Sequence, residues 1–221
     1  MGFADRTAAG RRLAALLAAY KPDSPVIVAL PRGGVPVAAE VAAALDAPLE
    51  LMLVRKLGVP RQPELAAGAV VDGAHPIVLR NEDVIRATGL SDETLARLAA
   101  AERAEIERRR GVYLHGRAPL DLTGRTVIVV DDGVATGATI RAALRAIRQA
   151  KPRRLVLAVP VGPADTLATL RREADDVVCI EEHDLFVAVG NHYDDFPQLT
   201  DAEVTRALDA AAVRRRGAPH A

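Results

Sequence analysis

The stretch Val127-Ile128-Val129-Val130-Asp131-Asp132-Gly133-Val134-Ala135-Thr136-Gly137-Ala138-Thr139 decides how the rest of the chain is read. Four β-branched residues in a row predict a strand buried on both faces. Two acids follow at once, then a short loop of small and hydroxyl residues, then a helical pattern from Ile140 to Gln149. A buried strand therefore delivers two carboxylates to the mouth of a sheet, with a helix N-terminus behind them. Paired carboxylates suit the two hydroxyls of a ribose. Free loop N–H groups, the Thr136 and Thr139 hydroxyls and the positive end of a helix suit a phosphate dianion. Together they predict a pocket for a ribose 5-phosphate. The plainer alternative is an ordinary strand-to-helix turn, with Asp132 as a cap and the glycines serving turn geometry.

Working outward, the same alternation of strand and helix recurs. Leu13, Leu16 and Leu17 give a first helix an apolar side that ends before Lys21-Pro22. Val26 to Leu30 reads as a buried strand, Val35 to Leu45 as a helix and Leu49 to Val54 as the next strand. Gly68 to Val71 and Ile77 to Leu79 flank Asp72-Gly73, a hairpin turn signal. Ser91 caps a long polar helix to about Arg110, acidic early and basic late as the helix dipole favours. Arg154 to Val159 and Val177 to Ile180 are further core strands. Thr200 and Glu203 have capping-box spacing for a last helix over Ala202 to Arg214, with a frayed tail from Arg215 to Ala221. The pattern predicts an α/β fold: one domain over residues 1–221, with a doubly wound, mostly parallel sheet. The loops after Leu30, Val54, Val130 and Val159 should converge at its C-terminal edge, where such sheets bind ligands.

Composition bounds the rest. The chain has 221 residues, half of them hydrophobic and 26% charged, which suits a globular protein with a sizeable core. Aromatics are only 3%, so Val, Leu, Ile and Ala must build that core. Basic and acidic residues number 29 each, which argues against a broad nucleic-acid footprint. The single cysteine, Cys179, sits in an apolar strand pattern and reads as a small buried hydrophobe. One cysteine permits no disulfide within the chain, which fits a reducing cytoplasm. No apolar run is long enough to span a membrane and no export signal is evident. We therefore expect a cytoplasmic protein with no membrane or nucleic-acid partner.

Two more segments carry chemistry. Leu30-Pro31-Arg32-Gly33-Gly34-Val35-Pro36 ends the first strand, with two glycines for close backbone approach and a permanent charge at Arg32. Arg55-Lys56-Leu57-Gly58-Val59-Pro60 sets two cations at the end of the second strand, as an anion clamp or as a solvated basic turn. His183 and His192 are too far from a second soft ligand to predict a zinc site.

From Val127 to Thr139 the residues resemble the phosphoribosyl-pyrophosphate motif of type I phosphoribosyltransferases: a hydrophobic run, two acids, three residues, then Thr-Gly-x-Thr. The Arg32 turn resembles the pyrophosphate loop of that family, which often carries a non-proline cis peptide; we expect it at Arg32–Gly33 or beside it. Arg55-Lys56-Leu57-Gly58 is similar to the Arg-Lys-Pro-Gly segment of adenine-type members, with Leu57 in place of the first proline. The resemblance implies a Rossmann-like fold with a mobile lid at about 57–120 and a C-terminal hood at about 183–200. In the lid, Arg108, Arg109, Arg110, Tyr113 and Arg117 fall in a Gly-bounded stretch that could close over an anion. In the hood, two of three phenylalanines and one of three tyrosines lie between Leu185 and Phe196. Phe186 is the candidate for stacking on a base, and Asp194 or Asp195 for reaching a metal through water. Phe186, Tyr193 and Phe196 would serve equally to pin the segment to the core.

The resemblance implies transfer of ribose 5-phosphate from phosphoribosyl pyrophosphate to a nitrogen acceptor, with Mg²⁺ as cofactor and release of pyrophosphate. Asp131, Asp132, Arg32 and Lys56 are the implied catalytic residues. Gly33, Gly34, Arg55, Val134, Ala135, Thr136, Gly137, Ala138, Thr139 and Phe186 complete the implied substrate contacts. Asp131, Asp132 and Asp194 are the implied metal contacts. A homodimer is also implied. Ala135 stands where 6-oxopurine enzymes have an acid, and the loop Val161-Gly162-Pro163-Ala164-Asp165 lacks their lysine. Both points argue against hypoxanthine or guanine as acceptor. A sensor of the same fold, binding the activated sugar without turnover, is the alternative.

Overall fold

Val127–Val130 lies in the middle strand of a five-stranded sheet in the computed structural model, which describes residues 2–73, 76–115 and 117–216. The strands of that sheet are β1 (Val26–Ala29), β2 (Leu49–Leu51), β6 (Thr126–Val130), β7 (Arg154–Pro163) and β8 (Asp176–His183). Their order is β2-β1-β6-β7-β8, and every pairing is parallel. Parallel strands need a crossover between them, and the helices that supply it cover both faces. Ile27, Ala29, Ile128 and Val130 join one core with Leu13, Val37 and Val41 of α1 (Arg6–Leu16) and α2 (Gly34–Leu45). Val26, Val28, Val127 and Val129 join the other with Ile140, Leu144 and Ile147 of α5 (Ala138–Gln149) and with Leu167 and Leu170 of α6 (Ala164–Leu170).

The apolar run Leu49–Val54 is not one strand. β2 stops at Leu51, and β3 (Val54–Val59) opens a separate antiparallel sheet with β4 (Gln62–Val71) and β5 (Ile77–Arg80). An apolar run reads the same whether it feeds one sheet or two, so the break at Met52-Leu53 carries no local signal. The β4–β5 hairpin falls where Asp72-Gly73 predicts it, with Val71 opposite Ile77; Ala74 and His75 of its turn lie outside the described residues. Two helices, α3 (Glu82–Thr88) and α4 (Asp92–Leu114), complete the insertion, and α3 was not legible in the sequence. The three-stranded sheet packs between layers: Leu57, Val59 and Ala67 meet Ile85, Leu95 and Ala99, while Val71 and Ala69 join the core under α5.

Other boundaries move in instructive ways. The N–H of Thr94 donates to Ser91 Oγ at 3.2 Å, so the α4 cap is as expected. The helix, however, continues through Gly111 to Leu114, so the stretch read as flexible is helical up to there. Leu16 is 53% exposed, because the buried side of α1 is made by Ala9, Gly10, Leu13 and Ala14, with Leu17 just beyond the helix. Thr200 and Glu203 form the reciprocal capping box of α7 (Asp201–Arg216), with the Thr200 N–H donating to Glu203 Oε2 at 2.7 Å. Arg215 and Arg216 are the last residues of that helix, and the tail beyond lies outside the described residues. Cys179 is half-buried, and burial pushes its thiol up to about 11, so it is a poor nucleophile. Among the described residues, no helix is long and apolar enough to cross a membrane.

Gly111 sits inside α4 with open space where a Cβ would go. Gly111→Ala is expected to stabilise the fold by about 0.5–1 kcal/mol, since only backbone entropy changes. Urea unfolding measures this, and a loss of stability would show that the position serves packing instead.

Candidate active site at the switch point

The strand order reverses between β1 and β6: the chain runs from β1 outward to β2, and from β6 the other way to β7 and β8. Their following helices, α2 and α5, pack on opposite faces, which makes the carboxyl ends of the two strands the switch point at which such sheets bind ligands. The Arg32 turn and the Asp131–Thr139 segment are the loops that border it. The N–H of Leu30 donates to the carbonyl of Val130 at 3.0 Å, continuing the β1–β6 ladder to the lip. A cis peptide joins Pro31 to Arg32, one bond from Arg32–Gly33.

The two glycines of the turn do allow close approach, here to the neighbouring Asp131–Asp132 segment. A Cβ on Gly33 would sit 1.9 Å from Asp132 Oδ2, and one on Gly34 would sit 2.7 Å from the Val130 carbonyl oxygen. Gly33 itself has an ordinary helical φ of −60°. Glycine is needed because the turn packs directly against the acids. Positive φ matters instead at Gly137, with φ +70°, which turns the chain into α5. Ala135, Thr136 and Ala138 are exposed there, and Thr139 is partly so. Thr166 Oγ1 donates to the Ala135 carbonyl at 3.0 Å and ties the loop to α6. The first-turn N–H groups of α5, lacking carbonyls one turn back, open beside the Thr136 and Thr139 hydroxyls.

Asp131 and Asp132 are held firmly. Asp131 Oδ1 accepts the Asp132 N–H at 2.9 Å. Asp132 Oδ2 accepts from Arg6 Nε at 2.7 Å, and the two side chains are only 14% and 10% exposed. Tyr193 Oη donates to the Asp132 carbonyl at 2.5 Å. Burial pushes the Asp131 carboxyl well above the usual carboxylate range, and the neighbouring Asp132 charge adds to this. Burial raises Asp132 as well, while the hydrogen bond and charge of Arg6 pull it back. Among the described residues Asp131 has no ion pair of its own. It is therefore a carboxyl that an incoming cation would ionise.

Arg6 was not legible as a site residue. It lies in the first turn of a helix capped by Asp5, 126 residues before its partner, and nothing local marks it. Its Nη1 also donates to the Pro197 carbonyl at 2.9 Å, and its guanidinium lies 3.7 Å over the Phe196 ring. The hood aromatics therefore do pin the C-terminal segment: Tyr193 is buried against Phe3, with ring centroids 5.3 Å apart. Phe186 remains half-buried, with one face stacked on His192 at 5.0 Å.

The remaining candidates scatter. Arg32 lies 43% exposed, with Nη1 3.8 Å from Asp201 Oδ1. Arg55 and Lys56 are within β3, not in a loop at the end of a sheet strand. Arg55 Nε donates to Glu102 Oε2 at 2.6 Å, and Lys56 is exposed. Arg108 and Arg109 both bind Glu105, Arg110 binds Asp72 at 2.6 Å, and Tyr113 is buried, donating to Asp201 at 2.6 Å. Arg117 Nε donates to the Leu114 carbonyl at 3.3 Å. Each is engaged in holding α4 and its surroundings. Asp194 is exposed on the segment whose N–H groups bond to Phe3 and Ala4, and it does not come within one metal's reach of both Asp131 and Asp132. Such a cluster does form elsewhere: Glu181, His183 and His192, the pair of histidines that sequence distance had set aside, bring their ligand atoms within 4.8 Å of one another. Burial and the neighbouring His183 hold the His192 imidazole below its ordinary pKa.

The family model of the phosphoribosyl transferase domain matches residues 5–195, a span that includes the Arg32 turn, both acids, the Thr-rich loop and most of the hood. The chain belongs to the phosphoribosyltransferase family. A Mycobacterium tuberculosis protein whose name places it among the phosphoribosyl transferases is 46% identical over 209 residues, covering 95% of this chain and 47% of its own length. The chain thus spans about half the length of that curated relative. The bifunctional protein PyrR of Chloroflexus aurantiacus is 38% identical over 110 residues, covering 49% of this chain and 53% of its own. The crystal structure of TT1426 from Thermus thermophilus shares 42% identity and a TM-score of 0.81, covering 94% of this chain and 98% of that one. As a phosphoribosyltransferase-family member, this chain carries the two acids and the threonine-glycine bend of the motif in one loop at the carboxyl end of β6.

The site is built at a cost to stability, which two substitutions measure. Asp131 has a raised folded-state pKa, so its contribution to stability falls as pH rises from about 4 through that value. Asp131→Asn is expected to raise the melting temperature at pH 7, with the gain vanishing toward pH 3; an unchanged melting temperature at pH 7 would contradict it. Arg6→Ala is expected to destabilise by about 3 kcal/mol, the low end for breaking a buried ion pair. Denaturant unfolding reads this directly, and a cost below about 1 kcal/mol would place the pair with surface bridges.

Proposed function

We propose that this chain is a phosphoribosyltransferase that moves ribose 5-phosphate from phosphoribosyl pyrophosphate to a nitrogen acceptor, a nucleobase being the leading class. The observation that carries the reading is the meeting of two loops at the carboxyl ends of β1 and β6, where Asp132 lies against Gly33, Asp131 against Gly34, and the N-terminus of α5 follows in the same loop. In this reading the loop Val134–Thr139 receives the 5-phosphate through N–H groups and the Thr136 and Thr139 hydroxyls. Asp131 and Asp132 hold the ribose hydroxyls. Arg32, aided by the exposed Lys56, draws the pyrophosphate, while Arg55 is held by Glu102. The acceptor nitrogen bonds to C1 as the C1–oxygen bond to pyrophosphate breaks and its electron pair leaves with that group. Positive charge grows on the sugar beside the two acids, and negative charge grows near the cations, so positioning and electrostatics supply the acceleration.

Mg²⁺ fits this donor set. Hard carboxylate oxygens are present, and Asp131 is a half-buried acid without an ion pair of its own among the described residues. Mg²⁺ would be held by Asp131 and Asp132, through water or through the sugar, and would neutralise charge on the leaving pyrophosphate. The half-buried Phe186, with one face already on His192, offers its other face to a flat acceptor.

Two measurements test the reading. The double substitution Asp131→Asn with Asp132→Asn is expected to weaken binding of phosphoribosyl pyrophosphate by on the order of tenfold or more, as lost charged hydrogen bonds imply, while the chain stays folded. Unchanged affinity would overturn the assigned roles. A screen of nucleobases and small amines with Mg²⁺ and phosphoribosyl pyrophosphate is expected to release pyrophosphate with at least one acceptor. Tight sugar binding with no release from any acceptor would favour a non-catalytic sensor.

A further inference from the structure

β8 ends in Glu181-Glu182-His183, and the chain returns through a 3₁₀ turn, Val189–His192, to the same place. Residues two apart on a strand project to one side, which sends Glu181 and His183 the same way. His192 arrives from the returning turn, its ring 4.4 Å from that of His183. One ligand atom from each of Glu181, His183 and His192 lies within 4.8 Å of the other two. We propose that these three side chains form a binding site for a divalent transition metal of the zinc class, which staples the segment 184–191 onto the end of β8.

Three observations support the site. His183 Nε2 is buried without a hydrogen-bond partner, and its nearest acid oxygen, Glu181 Oε2, is 3.7 Å away, too far for a hydrogen bond. A buried polar atom left unpaired costs free energy, and a metal between those two atoms removes the cost. The groups around the cluster also orient it. Glu181 Oε1 accepts from Arg12 Nη2 at 3.3 Å, leaving Oε2 to face His183, and Phe186 stacks behind His192 at an interplanar angle of 11°. Such outer contacts are what fix ligand orientation in metal sites.

Two imidazoles and one carboxylate suit zinc and its neighbours, whereas Mg²⁺ prefers an all-oxygen shell. Three protein ligands leave a coordination position for water or a small anion. Between the ligands runs a short loop bearing Leu185 and Val187, which are 94% and 86% exposed and so contribute little burial to holding it. A metal bridging His183 and His192 closes that loop directly. The effect reaches the acids by packing: Val189 lies where a Cβ on Gly133 would meet its Cγ1 at 2.5 Å. The site shares only Phe186 with the proposed sugar-transfer function and stands or falls independently of it.

The test uses the full chain, stripped with chelator and titrated with Zn²⁺ and with Co²⁺ as a visible-absorbing substitute. One Zn²⁺ per chain is expected to bind with saturation, unaffected by millimolar Mg²⁺, and to raise the melting temperature. His192→Asn is expected to weaken binding by more than the roughly 10–100-fold that loss of an outer partner costs. His115→Asn is the control, since His115 lies elsewhere, 3.7 Å from Asp209, and should leave binding unchanged. Absence of saturable binding, or binding that survives both His183→Asn and His192→Asn, overturns the proposal. Should His183→Asn fail to fold, anomalous scattering from Zn²⁺-soaked crystals of the unaltered chain decides. A peak bonded to all three side chains supports the site, and no peak there overturns it.

Discussion

The pairing of β1 with β6 is the constraint on which the rest of this structure depends. Val26, Ile27, Val28 and Ala29 run in parallel register with Val127, Ile128, Val129 and Val130, and all eight are buried. That register brings two sequence segments about a hundred residues apart to one lip of the sheet. It also sets them so close that only glycine fits at positions 33 and 34. Apolar burial on both faces makes the register costly to shift, since a slip of one residue would exchange the sets of side chains facing α1 and α2 and facing α5.

Two acids at that lip would repel each other and resist burial without compensation. The fold compensates one of them. Arg6 reaches Asp132 from the first turn of α1, and Phe196, Pro197 and Tyr193 fix the arginine and the acid in turn. Asp131 is left without an ion pair among the described residues, pushed toward its protonated form. Such a pair of unequal carboxyls is common where charge must later be received, because the stabilising partner then comes with the ligand.

The insertion between β2 and β6 illustrates how packing can reassign residues that chemistry seemed to claim. Its arginines look like an anion-closing set, yet Arg55, Arg108, Arg109 and Arg110 each hold an acid of the same insertion or its root. The three-stranded sheet and α4 share a core with the main sheet, so this region is built as a packed layer. The hood is bound differently, through aromatic stacking, a short backbone pairing of Phe3 with Tyr193 and the His183–His192 contact.

Much was legible in the residues themselves. A run of four β-branched residues before two acids and a Thr-Gly-x-Thr bend is local information: strand burial, carboxylate placement and a helix start depend on neighbours in sequence, and so do the Ser91 and Thr200 caps. What lay beyond was decided by contacts between distant segments. No local pattern could tell that Leu49–Val54 divides between two sheets, that Arg6 completes the site at Asp132, or that His192 returns to Glu181 and His183. The physical reason is the same in each case. Propensity and periodicity say which face of an element is apolar, but the partner of a charged or ligating side chain is chosen by where the packed chain brings it.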